Sequence, residues 1–273
     1  MRQTTPVALR CVYTDLDGTL LGRGASLLRD GEGSFTLLAA RALEACFRAG
    51  VEVVPVSGRR RNTLFEDARL LGLSAYVYEV GGGMVVDGEN TLLTGDVKPD
   101  AGRTVHELIA EQGAPRLLLD RYAGRLEYHE PWHEHREITH LMRGLVDTSE
   151  ANAALAASGL GHLQLVDNGA IAPKPSLREL PGAPHAYHLL PRAASKAGGV
   201  AAHMRARGYA REECIGVGDS AEDVGMADAV GRFFLVANAA AAADRPGVER
   251  TEAGHGDGFY EAVVRSLAES RTG

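Results

Sequence analysis

The string Asp15-Leu16-Asp17-Gly18-Thr19 sets two carboxylates two residues apart, directly after the apolar run Ala8 to Thr14. Two acids so spaced can divide one job. One attacks phosphorus and forms an aspartyl-phosphate; the other protonates the leaving oxygen and then activates water. Gly18 permits the tight backbone turn between them. A hard divalent cation would relieve the repulsion between these acids and an incoming phosphate dianion. Mg²⁺ suits, because it is typically held by one or two carboxylates plus phosphate. A second acidic string, Gly218-Asp219-Ser220-Ala221-Glu222-Asp223, follows the apolar run Cys214-Ile215-Gly216-Val217. It reads either as an acidic helix N-terminus, which capping and the helix dipole favour anyway, or as the source of a metal ligand at Asp219.

Lysine occurs only at 98, 174 and 196, so 26 of the 29 basic residues are Arg. Against that background each Lys marks a place for a compact ammonium instead of a planar fork. Lys196 follows Pro191-Arg192-Ala193-Ala194-Ser195 at a helix start, 23 residues before Asp219. It reads as a solvated first-turn lysine or as the cation that neutralises the nucleophile and a phosphate oxygen. Ser57, which ends the apolar run Val51 to Val56, is a loop-starting residue or a hydroxyl donor to the phosphate.

These groups need elements that bring them together. Apolar strands at Ala8 to Thr14, Val51 to Val56 and Ala75 to Val80 alternate with helices at Phe35 to Ala49 and Asn62 to Leu71. Continuously apolar strands alternating with helices describe a parallel sheet covered on both faces. In such a sheet, ligands bind beyond the carboxyl ends of the strands, where Asp15, Ser57 and Asp219 stand. The rhythm breaks at Gly81-Gly82-Gly83. A hairpin follows at Met84 to Thr94, turning at Asp87-Gly88, then a helix at Ala101 to Gln112 and short strands at Arg116 to Leu119 and Arg125 to Tyr128. Helices near Thr139 to Val146 and Ser149 to Ser158 and a strand at His162 to Val166 complete this block. The rhythm returns with a strand at Tyr187 to Leu190, a helix at Ser195 to Arg207, a strand at Glu213 to Val217 and a helix at Ala221 to Asp228. A strand at Arg232 to Val236, a short alanine helix at Ala239 to Ala243 and a helix at Asp257 to Ala268 end the chain. The expected architecture is α/β: a Rossmann-like core with helices on both faces over 1–81 and 186–273, and an inserted α+β block over 82–185. Glycines 81 to 83 are the expected hinge, and the insert is expected to close over the crevice and set specificity.

The balance of the 273 residues, 45% hydrophobic and 24% charged, is that of a globular chain. A formal net charge of -7 gives no support to a nucleic-acid partner. No run approaches the roughly 20 apolar residues that span a bilayer, and no apolar stretch of a secretory signal follows Met1 to Pro6. Cys11, Cys46 and Cys214 read as small core residues in a reducing compartment. The expectation is a cytoplasmic protein acting on a small phosphorylated metabolite, with its oligomeric state left open.

Asp15 to Thr19, Ser57-Gly58-Arg59, Lys196, and Gly218-Asp219 to Asp223 resemble the four motifs, in order, of the haloacid dehalogenase-like (HAD) superfamily. The insert is similar in position and size to the type-2 cap of the sugar-phosphatase branch (subfamily IIB), which includes mannosyl-3-phosphoglycerate and sucrose-phosphate phosphatases. Glu79, Gly81, Asn238 and Asp257-Gly258 also fit that branch. The resemblance implies Mg²⁺-dependent hydrolysis of a phosphate monoester. Asp15 is then the nucleophile and Asp17 the general acid/base, with Ser57, Gly58, Lys196 and Asn238 around the phosphoryl group. Asp15, Asp17 (through its carbonyl) and Asp219 would hold the metal, with Asp223 orienting them. Three positions depart from the branch: Val80 replaces an Asn, Glu222 replaces another, and Lys196 precedes Ala-Gly-Gly where Gly commonly comes at once. Two alternatives share these residues, a phosphosugar mutase and a non-catalytic binding module. Free phosphate release from a single substrate separates the first; the intact acid pair weighs against the second.

The stretch His129-Glu130-Pro131-Trp132-His133-Glu134-His135 reads as a metal site with His133 and His135 on one strand face, or as polar cap surface facing the substrate. Trp132 could stack on a sugar ring or fill the cap core. Of Arg59, Arg60 and Arg61, the first is placed to hold an anion, the others to start a helix.

Overall fold

The computed structural model describes residues 7–240 and 244–271. In chain order its strands and helices are β1 (Cys11–Thr14), α1 (Leu38–Ala49), β2 (Glu52–Pro55), α2 (Arg61–Leu71), β3 (Ala75–Tyr78), β4 (Gly83–Val86), β5 (Glu89–Leu92), α3 (Val105–Glu111), α4 (Ala114–Arg121) and β6 (Leu126–Tyr128). Then come β7 (His140–Gly144), α5 (Thr148–Ala157), β8 (Leu163–Ala170), β9 (His185–Pro191), α6 (Lys196–Arg207), β10 (Cys214–Gly218), α7 (Ala221–Val224), β11 (Arg232–Leu235), β12 (Val248–Arg250) and α8 (His255–Arg271).

The core is a parallel five-stranded sheet in the order β12-β11-β10-β1-β2. β1 and β10 are buried on both faces, as their unbroken apolar runs require. β1 lies between β10 and β2, so the residues that leave these three strands emerge side by side. A single parallel bridge, Val56 to Val77, carries β3 next to β2. The hairpin β4–β5 turns at Asp87 and Gly88, both left-handed, the backbone that a two-residue turn needs. A second sheet, in the order β6-β7-β9-β8, is wholly antiparallel and forms the inserted unit with α3, α4 and α5. No helix among the described residues is long and apolar enough to cross a membrane.

The structure departs from the sequence reading inside the insert. Residues 116–119 are helical within α4, where Pro115 occupies the first turn and Leu118 is buried. Residues 140–144 form β7, the strand between β6 and β9; burial on both faces leaves no alternation to mark it. The edge strand β12 was not anticipated. Only 221–224 of the expected 221–228 helix are α-helical, the rest tightening into a 3₁₀ turn. Ala239 and Ala240 are not helical, and the remaining part of the expected alanine helix lies outside the described residues. Sheet pairing also cuts across the expected domain edges: β4–β5 pairs with β3, and β9 runs to Pro191 inside the second sheet.

The insert's core carries an imidazole pair. The rings of His106 and His140 stack 3.7 Å apart, and His140 Nε2 donates to the His106 carbonyl at 2.9 Å. Burial pulls His140 down from 6.5 to about 3 and His129 to about 4. Between the unfolded and folded values the unfolded chain binds more protons, so stability is complete above about pH 6.5 and is lost as pH falls. For His140 the loss approaches about 1.4 kcal/mol for each pH unit in that window. Buried carboxyls titrate in the same window with the opposite sign, so the histidine shows as a difference: from about pH 7 to about pH 4 the parent's thermal midpoint should fall relative to that of His140→Gln. Equal slopes for the two proteins would refute this assignment.

Candidate active site

Asp15 leaves β1 with its N–H donating to Val217 O at 3.0 Å, one step beyond the strand pairing. The chain then curls, with Leu21 N–H donating to Leu16 O at 2.9 Å. At Gly18, with φ of 92°, a Cβ would lie 2.4 Å from Asp219 Oδ2, so only glycine lets this loop meet the fourth motif. Thr19 Oγ1 donates to Asp219 Oδ1 at 3.2 Å across the same contact.

Lys196 begins α6, which Ser195 caps by accepting from Gly198 N–H at 3.0 Å. The lysine is buried. Its Nζ donates to Asp15 Oδ1 at 2.8 Å and to Asp223 Oδ1 at 2.6 Å, with Glu222 Oε2 3.5 Å away. Gly81 lets the chain after β3 pass close by: a Cβ there would fall 1.9 Å from Ser195 O. Asp223 Oδ2 accepts from Asp219 N–H, Ser220 N–H and Ser220 Oγ at 3.2, 3.0 and 2.7 Å. Asp223 therefore fixes the turn that carries Asp219 and aims Lys196 at Asp15. Carboxylate oxygens of Asp15, Asp219 and Asp223 lie within 4.8 Å of one another.

Charge is unbalanced here. Burial pushes the Asp15 carboxyl well up, and Lys196 opposes that shift. Burial also works against the Lys196 ammonium, but Asp15, Asp223 and Glu222 outweigh it and hold it well above its usual value. Asp219 is pushed up to about 6 by burial and then by Asp223; Glu222 is pushed to about 7 by burial, with Lys196 opposing. One ammonium faces four acids, an arrangement that asks for further positive charge.

The second acid of the first motif looks elsewhere. Asp17 is 55% exposed along its side chain, and both its oxygens accept from Arg59: Nε at 2.8 Å and Nη2 at 2.6 Å. Arg59 is anchored in turn by Nη1 donating to Asp67 Oδ2 at 2.7 Å. Ser57 is buried, with Oγ accepting from Arg59 N–H at 3.2 Å. Gly58 O accepts from Arg136 Nη1 at 3.0 Å. Asn238, expected beside the phosphate, has its amide engaged: Nδ2 donates to Gly18 O at 2.9 Å, and Oδ1 accepts from His255 N–H at 2.7 Å. It ties the first-motif loop to the start of α8.

Two further residues shape the site. Glu79 is wholly buried at a left-handed φ of 46°, and its carboxylate accepts from Glu137, Ile138 and Thr139 N–H at 2.9, 3.1 and 2.6 Å. With Arg136 on Gly58, it seats residues 136–139 of the insert against the Ser57–Arg59 loop. The sequence signal was an acid closing an apolar strand; its partners were not readable. The second is His188, whose Nε2 lies 2.8 Å from where a Cβ on Gly58 would stand.

The histidine-rich stretch does not become a strand. It runs through turns, His133 stacks on Tyr128 at 4.9 Å, and Trp132 is 54% exposed, so it does not fill the cap core. Among the described residues, neither grouping of His, Cys, Asp or Glu close enough for a metal lies in this stretch. Arg60 Nη1 donates to Glu134 O, and Arg61 pairs with Glu137.

No family model matches the chain. It is 26% identical over 262 residues to a phosphoglycolate phosphatase of Methanoculleus marisnigri, covering 94% of this chain and 96% of that one. In structure it is similar to the sucrose-phosphatase of Synechocystis sp. PCC6803 (TM-score 0.66, 15% identity, covering 95% and 98% of the two chains). It is also similar to BT1666 from Bacteroides thetaiotaomicron, a HAD-superfamily phosphatase (TM-score 0.64, 15% identity, 97% of each chain). The fold is haloacid dehalogenase-like, with an inserted cap. The relatives it resembles over nearly their full length are phosphatases by name.

Proposed function

We propose that this chain hydrolyses a small phosphate monoester, a sugar phosphate or similar metabolite, through an aspartyl-phosphate on Asp15. One observation carries the reading: the Lys196 ammonium sits between Asp15 and Asp223, joining three separate motifs in one buried contact. With Oδ1 held by Lys196, Asp15 Oδ2 is the attacking atom. It bonds to phosphorus as the ester oxygen leaves, while Ser57 Oγ and the Lys196 ammonium receive the phosphoryl oxygens. Asp17 supplies the leaving oxygen's proton. Both Asp17 oxygens accept from Arg59, so Asp17 must leave Arg59 before it can reach the leaving oxygen. Water then attacks the phosphoryl group, gives its proton to Asp17, and returns Asp15 as carboxylate.

Hard oxygen donors in surplus over cations fit Mg²⁺. Asp15, Asp219 and the Asp17 carbonyl would hold it, and it would supply neutralisation of the phosphate dianion. Cys11, Cys46 and Cys214 are free and buried, which supports a reducing, cytoplasmic location. The inserted unit over the Ser57–Arg59 loop supports its role in specificity; within a division near 82–185, its sheet takes in β9 as far as Pro191.

The test is phosphate release across a panel holding sugar phosphates and phosphorylated hydroxy acids, with and without Mg²⁺. Asp219→Ala should raise the Mg²⁺ concentration for half-maximal activity by at least about tenfold, since one carboxylate ligand is lost. An unmoved half-saturation with activity retained would place the metal elsewhere.

A further inference from the structure

At the opposite end of the core sheet from Asp15, the first residues of three neighbouring strands stand in register. Cys214 of β10 and Glu52 of β2 both pair with Cys11 of β1. Neighbours in register on parallel strands point to the same face, and α6 brings His203 onto that face. There the Cys11 Sγ, a Glu52 carboxylate oxygen and a His203 ring nitrogen lie within 4.8 Å of one another.

The imidazole is held with one ring nitrogen lacking a hydrogen bond. Its Nδ1 lies 2.9 Å from the Tyr13 hydroxyl, and the Tyr13 ring meets it edge-on. Its Nε2 is enclosed, with the residue 0% exposed, and has no hydrogen-bond partner; Glu52 Oε2 stands at 3.6 Å. That distance is too long for a hydrogen bond. It is close to the span between two ligand atoms each about 2.0 to 2.2 Å from one ion.

We propose that Cys11, Glu52 and His203 form a three-ligand site for a borderline divalent transition ion, zinc first among them. Thiolate, imidazole and carboxylate are zinc's donor set. Magnesium, which wants hard oxygen ligands, has no reason to leave the Asp15 cluster for it. Charge closes as well. Arg207 donates to Glu52 Oε1 through Nε at 3.2 Å and Nη2 at 3.0 Å, and the Tyr209 hydroxyl donates to Oε2 at 2.9 Å. One thiolate and one carboxylate are cancelled by the dication, while Arg207, which also pairs with Asp87, steadies the carboxylate. With Nε2 on the ion, Nδ1 carries the ring proton and donates it to Tyr13, the outer contact that fixes a ligating histidine. Binding sends the thiol proton to solvent, so uptake favours higher pH. Glu52, 16% exposed along its side chain, borders solvent and offers the way in. The ion would clamp β1 and β2 to α6, the helix whose first residue is Lys196.

The test uses the full-length protein, stripped with a chelator and titrated with Co²⁺ as an optical probe. One equivalent should produce a thiolate-to-cobalt charge-transfer band in the near ultraviolet, and Zn²⁺ should abolish it. Cys11→Ser should lose the band, while Asp219→Ala should keep it, because the oxygen cluster offers no thiolate. Should Cys11→Ser fail to fold, His203→Gln should bind Co²⁺ at least about tenfold more weakly. No thiolate band at saturating Co²⁺, a band that survives Cys11→Ser, or an unchanged affinity in His203→Gln would overturn the site.

Discussion

Asp15→Asn should lower kcat for phosphate release by at least about 10³-fold, because an amide is a far poorer nucleophile than a carboxylate. The fold should survive. The substitution is nearly isosteric, its amide oxygen can still accept from Lys196, and Lys196 keeps Asp223 at 2.6 Å as its anionic partner. The measurement is steady-state phosphate release at saturating substrate, set beside circular dichroism and the thermal midpoint of both proteins. Activity within tenfold of the parent would remove Asp15 from the chemistry.

Lys196→Met should damage stability and turnover together. The ammonium is the counter-ion of Asp15, Asp223 and Glu222. Removing one member of a buried charged group leaves the others uncompensated, at about 3–5 kcal/mol. The sign of its pH dependence is distinctive. Without the ammonium the Asp15 and Glu222 carboxyls are raised further above their unfolded values, so the variant should be most stable in acid and lose stability as pH rises through the raised values. The parent should not show this added loss. Lys196→Arg should not restore turnover, since a planar fork does not fit where a compact ammonium bridges two carboxylates. Denaturant unfolding at several pH values, with kcat for each variant, decides this. An unfolding free energy within about 1 kcal/mol of the parent across the range would contradict the role assigned to Lys196.

The core was legible because its signals are local. Unbroken apolar strands ending in Asp15, Ser57 and Asp219 announce a parallel sheet and the edge where ligands bind, and Gly50 and Gly72 mark where α1 and α2 stop. Lys196 stood out by composition, three lysines against 26 arginines. What could not be read depends on pairing at a distance. β7 has no alternation because both its faces are covered, and α4 carries a leucine run that suits either period. The grip of Arg59 on Asp17 spans 42 residues and that of Glu79 on Thr139 spans 60, separations at which neither spacing nor composition carries a signal. Likewise the Cys11–Glu52–His203 grouping arises from strand register, which no segment of the sequence displays by itself.

The central claim is a covalent phosphoryl group on Asp15. It is tested most directly by mixing the enzyme with excess substrate and Mg²⁺, quenching in acid within the first turnover, and mapping the peptides by mass spectrometry. The account predicts one phosphoryl group on the peptide containing Asp15, absent from Asp15→Asn under the same quench. A phosphoryl group on any other residue, or phosphate released within that turnover with no trace of phosphorylated protein, would contradict it.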